Sequence, residues 1–226
     1  FDPDLHRDTI AEICRALDGL PLAIELAAAQ LATMSIDDLS SRLDQRFRVL
    51  RDDGRDDRQA TLAATVRWSH DLLDPSERRL FDRLSIFQGG FDAVGAHNVL
   101  DQGDRDLDVA RTLENLADRS MLVRSRKHPG RFEMLETLRH LGDRHLAERG
   151  ERSSTRNAHL DHVVNMSAEI SARCYGEDWS VGLARLGVEW DNVRSALNWA
   201  IDTHRHADVD RLLRDLFFIS RWTVET

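Results

Sequence analysis

Lysine is almost missing from this sequence: Lys127 stands alone among 31 lysines and arginines, and the rest are arginine. Basic charge does not prevail either. Acids outnumber bases to leave a net charge of −9, the wrong sign for a dedicated nucleic-acid binder with a broad basic footprint. Cysteine is scarce. Cys14 and Cys174 lie far apart, which excludes a disulfide framework and suggests free thiols in a reducing compartment. No apolar run reaches the roughly 18 residues that a membrane-spanning helix needs. The N-terminus lacks a charged segment leading into an apolar one, so it does not read as a secretion signal. A cytoplasmic location with no membrane partner is expected. The phosphate-cradling pattern G-x-x-x-x-G-K-[ST] is absent, as is any recognisable nucleophile–base–orienter set. The chain is therefore not expected to be an enzyme or to hold a cofactor by itself. It starts at Phe1 and reads as a piece of a longer protein.

Helical periodicity fills most of what is there. From Asp8 to Thr33, Ile10, Ile13 and Leu17 share a face. Gly19 ends that helix and Pro21 opens the next, since a first-turn proline lacks only an N–H that needs no partner there. Leu22 to Ala32 is nearly all apolar and is expected to be buried all round. Ser35 caps a third helix with Asp38 three residues on. These residues, 1–50, form one helical segment. Residues 51–58, "RDDGRDDR", lack any apolar anchor and read as a solvated linker where motion is expected.

Residues 59–150 form the second block. "TLAATVRWSHDLL" is a helix with Leu62, Val66, Trp68, Leu72 and Leu73 as its apolar positions. Asp74 is an N-cap followed by Pro75 at N1 and Glu77 at N3. Two further helices, "DAVGAHNVL" and "DVARTLENLADRS", precede a change of period. "MLVRSR" and "RFEML" read as short strands around the turn "KHPG", and "ETLRHLGDRHLAERG" closes the block as a helix. Helices, a hairpin and another helix is the order of a winged-helix domain. Residues 151–226 read as helices over about 153–173, 178–186, 188–203 and 206–222, the start of stacked helical hairpins. The expected fold class is mainly α: a helical lid segment, a winged helix with a small β-hairpin, then TPR-like repeats.

Three stretches carry a resemblance. "GLPLAIELAAAQL" (Gly19 to Leu31) resembles the GLPL segment of NB-ARC and related STAND ATPases. "LDPSERRLFDRLSIFQGGF", "LENLADRSMLV" and "RFEMLETLRHLGDRHL" resemble the winged-helix region of their bacterial members. "EWDNVRSALNWAID" resembles the opening of the repeats that follow in bacterial regulators, which often carry a LuxR-type or cyclase-like domain. The resemblance implies an upstream nucleotide-binding domain holding ADP or ATP with Mg²⁺, and an effector, protein or small molecule, on the repeats. It implies DNA contact through another domain. Gly19, Leu20, Pro21 and Leu22 would lie near the nucleotide, with Pro21 beside the base. Family winged helices often carry a Met-His-Asp motif at a position that reads Met134-Leu135-Glu136 here. Leucine cannot donate to a phosphate, which leaves Glu136, whose plainer role is to complement the N-terminal dipole of its helix.

Other residues have two readings each. Arg124, Arg126, Lys127 and Arg131 make the wing basic and could grip phosphates, but the helix before them mixes Arg111 and Arg119 with Glu114 and Asp118. A DNA-binding winged helix and a free-standing helical scaffold remain alternatives. His159 with His162, and His140 with His145, share helices without metal-ligand spacing and read as solvated faces rather than a metal site. Trp179, Trp190, Trp199 and Trp222 read as repeat core, or one or two of them as the lining of a concave partner or effector surface.

Overall fold

The computed structural model describes residues 6–43, 58–100, 106–174 and 179–220. It is mainly helical with one antiparallel hairpin, as the periodicity predicts. In chain order come α1 (Arg7–Ala16), α2 (Pro21–Ala29) with a 3₁₀ turn (Gln30–Ala32), α3 (36–43), α4 (Arg58–Asp71), α5 (Pro75–Leu84), α6 (Ala93–Asn98), α7 (Val109–Asp118), β1 (Val123–Arg124), β2 (Phe132–Glu133), α8 (Glu136–Glu148), α9 (Arg152–Cys174), α10 (Trp179–Asp202) and α11 (His206–Ser220). Residues 51–57 of the expected linker, and Trp222, lie outside the described residues. Arg58, placed at the linker's end, already belongs to α4.

Local signals set the helix ends. Gly19 sits at φ +64° and Pro21 occupies the first turn of α2. Asp74 caps α5 by accepting from the backbone N–H of Ser76 and Glu77, while the Glu77 side chain accepts from the Asp74 N–H. The Glu77 N–H outweighs the cost of partial burial and holds the Asp74 carboxyl below its usual range. Ser35 caps α3, although Asp38 returns its carboxylate to the Ser35 hydroxyl rather than to the backbone.

Two expectations need correction. α2 is not buried all round: Ala23, Leu26 and Ala27 face inward, whereas Pro21, Glu25 and Ala28 are exposed. The expected break near Gly187 is absent, and Trp179–Asp202 is one helix, α10. A single glycine costs a helix only about 1 kcal/mol, less than what burying Leu186, Val193, Ala196 and Ala200 on one continuous face contributes.

Among the described residues three apolar cores result. The first holds α1 to α3, with Ile13, Leu17, Leu39 and Leu43, and takes Ala64 and Trp68 from α4. The largest fills the winged helix with Phe81, Leu84, Phe91, Leu113, Leu116, Met121 and Leu138, and takes Val66 from α4 and Leu26 from α2. The third joins α9, α10 and α11 through Leu160, Ile170, Val193, Ala196 and Leu212. In the winged helix the hairpin pairs Val123 with Glu133 and Arg124 with Phe132. A bridge between Phe91 and Phe132 adds a third short strand position. Gly90, at φ +78°, permits it, because a Cβ there would lie 2.8 Å from the Phe132 carbonyl oxygen. Gly142 likewise lets α8 approach α5, where a Cβ would meet that of Ser85 at 2.8 Å.

Candidate nucleic-acid face and domain joints

α7 is the helix of the winged unit that a duplex would meet. Asp108 caps it, accepting from the Arg111 N–H, and Val109, Thr112, Leu113, Leu116 and Ala117 turn inward. Outward face Ala110, Arg111, Glu114, Asn115 and Asp118. Arg124 on β1 folds back onto two of these. Its Nε and Nη2 donate to Glu114 at 2.9 and 2.6 Å, and Nη2 also donates to Asp118 at 2.5 Å. Those hydrogen bonds, Asp118 first and then Glu114, hold the guanidinium more firmly protonated than usual.

Arg131, on the other limb of the wing, turns the opposite way. It makes a two-pronged ion pair with Glu189 of α10, and both side chains are largely buried. Beside it, the Asn192 side chain accepts from the N–H groups of Gln88 (2.9 Å) and Gly89 (3.2 Å). It donates to the Gly90 carbonyl (2.8 Å) and to Glu189 (2.9 Å). Between these limbs, Arg126, Lys127 and His128 are exposed at the wing tip, along the rim of a groove of about 700 Å³ that the Gly89–Gly90 loop and α10 complete. Four basic residues that look equivalent in sequence thus divide: Arg124 and Arg131 are engaged inside the molecule, and Arg126 and Lys127 face solvent.

The histidines do not form solvated faces throughout. His140 is exposed and pairs with Glu136 at 3.0 Å, but His159 is buried, its ring edge-on to Phe87 at 4.9 Å and its Nε2 without a hydrogen-bond partner. Burial first, then the charge of His162, push the His159 pKa down to about 3 against an opposing contact from Asn192. His162 meets Asn98 at 3.0 Å; burial lowers its pKa as well, while the Glu189 and Asp92 carboxylates oppose that. His145 belongs to a cluster that sequence spacing did not suggest. Asp82 is fully buried and holds His70 at 3.0 Å and His145 at 3.1 Å on one oxygen, and Arg149 at 2.7 Å on the other. Burial alone would raise the Asp82 pKa; the hydrogen bonds from His70 and Arg149 prevail and lower it. Two imidazoles and a carboxylate could in principle ligate a cation. The guanidinium already on Asp82 and the complete set of donors read instead as a polar tie between α4, α5 and α8.

The segments singled out for nucleotide proximity lie on separate elements. Gly19 and Pro21 are exposed in the α1–α2 turn, while Leu20 and Leu22 are half-buried against the first and second cores. Glu136 opens α8, largely exposed, and pairs with Arg139 and His140. α4 packs against both α2 and α8. The tryptophans are not uniformly core. Trp179 and Trp190 are about half exposed, whereas Trp199 packs in the bundle, donates to Asn157 at 3.0 Å and lies under Arg156. No described helix is long and apolar enough to cross a membrane.

Residues 73–147 match the family described as a winged helix-turn-helix domain. Over 195 residues the chain is 36% identical to a "Putative HTH-type transcriptional regulator" of Mycobacterium tuberculosis strain H37Rv, and equally to its counterpart in Mycobacterium bovis. That alignment takes in 84% of this chain and 22% of each relative. An "Uncharacterized protein" of Mycobacterium tuberculosis is 38% identical over 170 residues, 73% of this chain and 43% of the relative. The chain thus spans less than half the length of the curated relatives it matches. No solved structure matches it.

Proposed function

We propose that this chain is the regulatory part of a nucleotide-switched transcription regulator of the STAND type, in which the winged helix couples domains and does not itself read a duplex. The observation that carries this is the engagement of both inner wing arginines. Arg124 is spent on Glu114 and Asp118, on the face that would enter a groove, and Arg131 on Glu189. Two carboxylates on that face repel phosphates, and a chain of net charge −9 adds to the repulsion. The relatives named as regulators support a role in transcription. An upstream domain of the intact protein would bind ADP or ATP with Mg²⁺. This chain lacks a P-loop, so its contribution would be limited to the base side at Gly19, Leu20, Pro21 and Leu22 and to Glu136 near the phosphates. The bundle α9–α11 would receive a protein or small-molecule effector.

Two measurements test this. Fluorescence anisotropy with a 20-base-pair duplex of random sequence at physiological salt should give a Kd weaker than about 1 µM, in the non-specific range. Calorimetry with Mg-ADP should show affinity no better than millimolar. Micromolar ADP binding by this chain would overturn the assignment of the phosphate site to an upstream domain.

A direct DNA-binding role is the second reading, favoured by the match over residues 73–147 and by the exposed tip residues Arg126, Lys127 and His128. Sub-micromolar duplex affinity that disappears on Arg126→Ala with Lys127→Ala would establish it in place of the first.

A further inference from the structure

The apolar core of the winged helix and that of the bundle are separate clusters. α6 and α8 pack against α9, and beside these contacts runs a polar seam. Arg131 pairs with Glu189. Asn192 makes four hydrogen bonds, three of them to the backbone at Gln88, Gly89 and Gly90. Asn98 meets His162, and Phe87 meets the ring of His159. The fit at Gly89 is close: a Cβ there would lie 3.2 Å from that of Asp191.

A seam of this composition behaves differently from an apolar contact. Greasy surfaces are non-directional and can slide by fractions of an ångström. A desolvated ion pair and a buried amide cannot. Their net contribution is small while they are made, but leaving one partner dry and unpaired is costly. Intermediate positions are therefore disfavoured, and the seam is either fully made or opened to water. Its bundle side sits on one continuous helix: α10 carries Glu189 and Asn192 near its middle and packs against α9 and α11. A rigid rod about 1.5 Å long per residue carries a displacement at one end to the other.

We propose that Glu189 and Asn192 form a two-position latch on the wing hairpin and the Gly89–Gly90 loop, through which a change felt by the bundle reaches the winged helix. Release frees Arg131 and loosens residues 88–91 and 123–133 while the winged-helix core stays folded. The role of the latch in signalling rests on the reading of α9–α11 as the sensing part; its existence does not, and the test addresses the latch alone.

Hydrogen exchange read by mass spectrometry on the whole 226-residue chain decides it. In Glu189→Gln, amides in 88–91 and 123–133 should exchange at least tenfold faster, with α5 and α7 unchanged. Asn192→Asp keeps the shape and the acceptor but loses the donor, and should do the same if the first variant folds poorly. The double variant Arg131→Gln with Glu189→Gln should match either single one, because the groups act as a unit. Unchanged exchange in both stretches, an equal rise in α5 and α7, or additive effects in the double variant would each overturn the latch.

Discussion

Taking the protein from pH 7 to pH 4 should cost about 3 kcal/mol of folding stability through His159 alone. The ring is buried, its Nε2 has no partner, and its folded pKa is about 3 against 6.5 for the ordinary residue. The sign follows directly. Above pH 6.5 the ring is neutral in both states and nothing is lost. Between 6.5 and 3 the unfolded chain takes up a proton that the folded chain refuses, so stability falls by about 1.4 kcal/mol per pH unit. Below about pH 3 this loss levels off. The lowered pKa of Asp82 acts in the same direction at still lower pH, as its carboxylate is protonated and its three donors lose their acceptor. Urea denaturation at pH 7, 6, 5 and 4 gives the slope, and His159→Gln should flatten it by one proton. An unaltered slope in that variant would place the titrating group elsewhere.

Asp82→Ala should lower stability at pH 7 by about 3 kcal/mol, the range for removing one partner of a buried ionic set. In a chain of this length that is roughly 6–12 °C in Tm. Among the described residues the carboxylate is the one acceptor shared by His70 of α4, His145 of α8 and Arg149 just past α8. Its removal leaves a 7% exposed imidazole without its acceptor and releases α4 and α8 from α5 at once. Asp82→Asn should recover little, because its amide group must point donors at donors. The control is Asp118→Ala, which removes a contact to the same kind of guanidinium on the open surface and should change stability by less than about 1 kcal/mol. Equal effects from the two aspartates would show that the buried set has no special weight.

Much of this was legible from local chemistry and little from distant pairing. Asp74, Pro75 and Glu77 announce α5 because a cap is decided within four residues. The hairpin is announced by Pro129 and Gly130 for the same reason. Gly187 misleads, since a glycine weakens a helix without ending it and the deciding quantity is the apolar face it interrupts. Asp82 gives no signal: its partners stand 12, 63 and 67 residues away, and a lone aspartate in a helix resembles any solvated one. Arg124 and Arg131 look alike in sequence. Only the three-dimensional arrangement puts Glu114 beside one and Glu189 beside the other. Aromatic content predicts burial on average and so favours core for Trp179 and Trp190, whereas the turn of α10 leaves both about half exposed.

α4 lies ahead of the segment that matches the winged helix-turn-helix family, yet it takes part in the packing of that unit. The matched segment begins at residue 73, just past a helix that lends Trp68 to one core, Val66 to another and His70 to Asp82. Excised at residue 73, the unit would carry a bare apolar flank and a carboxylate short of one donor. A helix put in place of α4 would restore both only by setting an apolar residue and an imidazole four positions apart, as Val66 and His70 are.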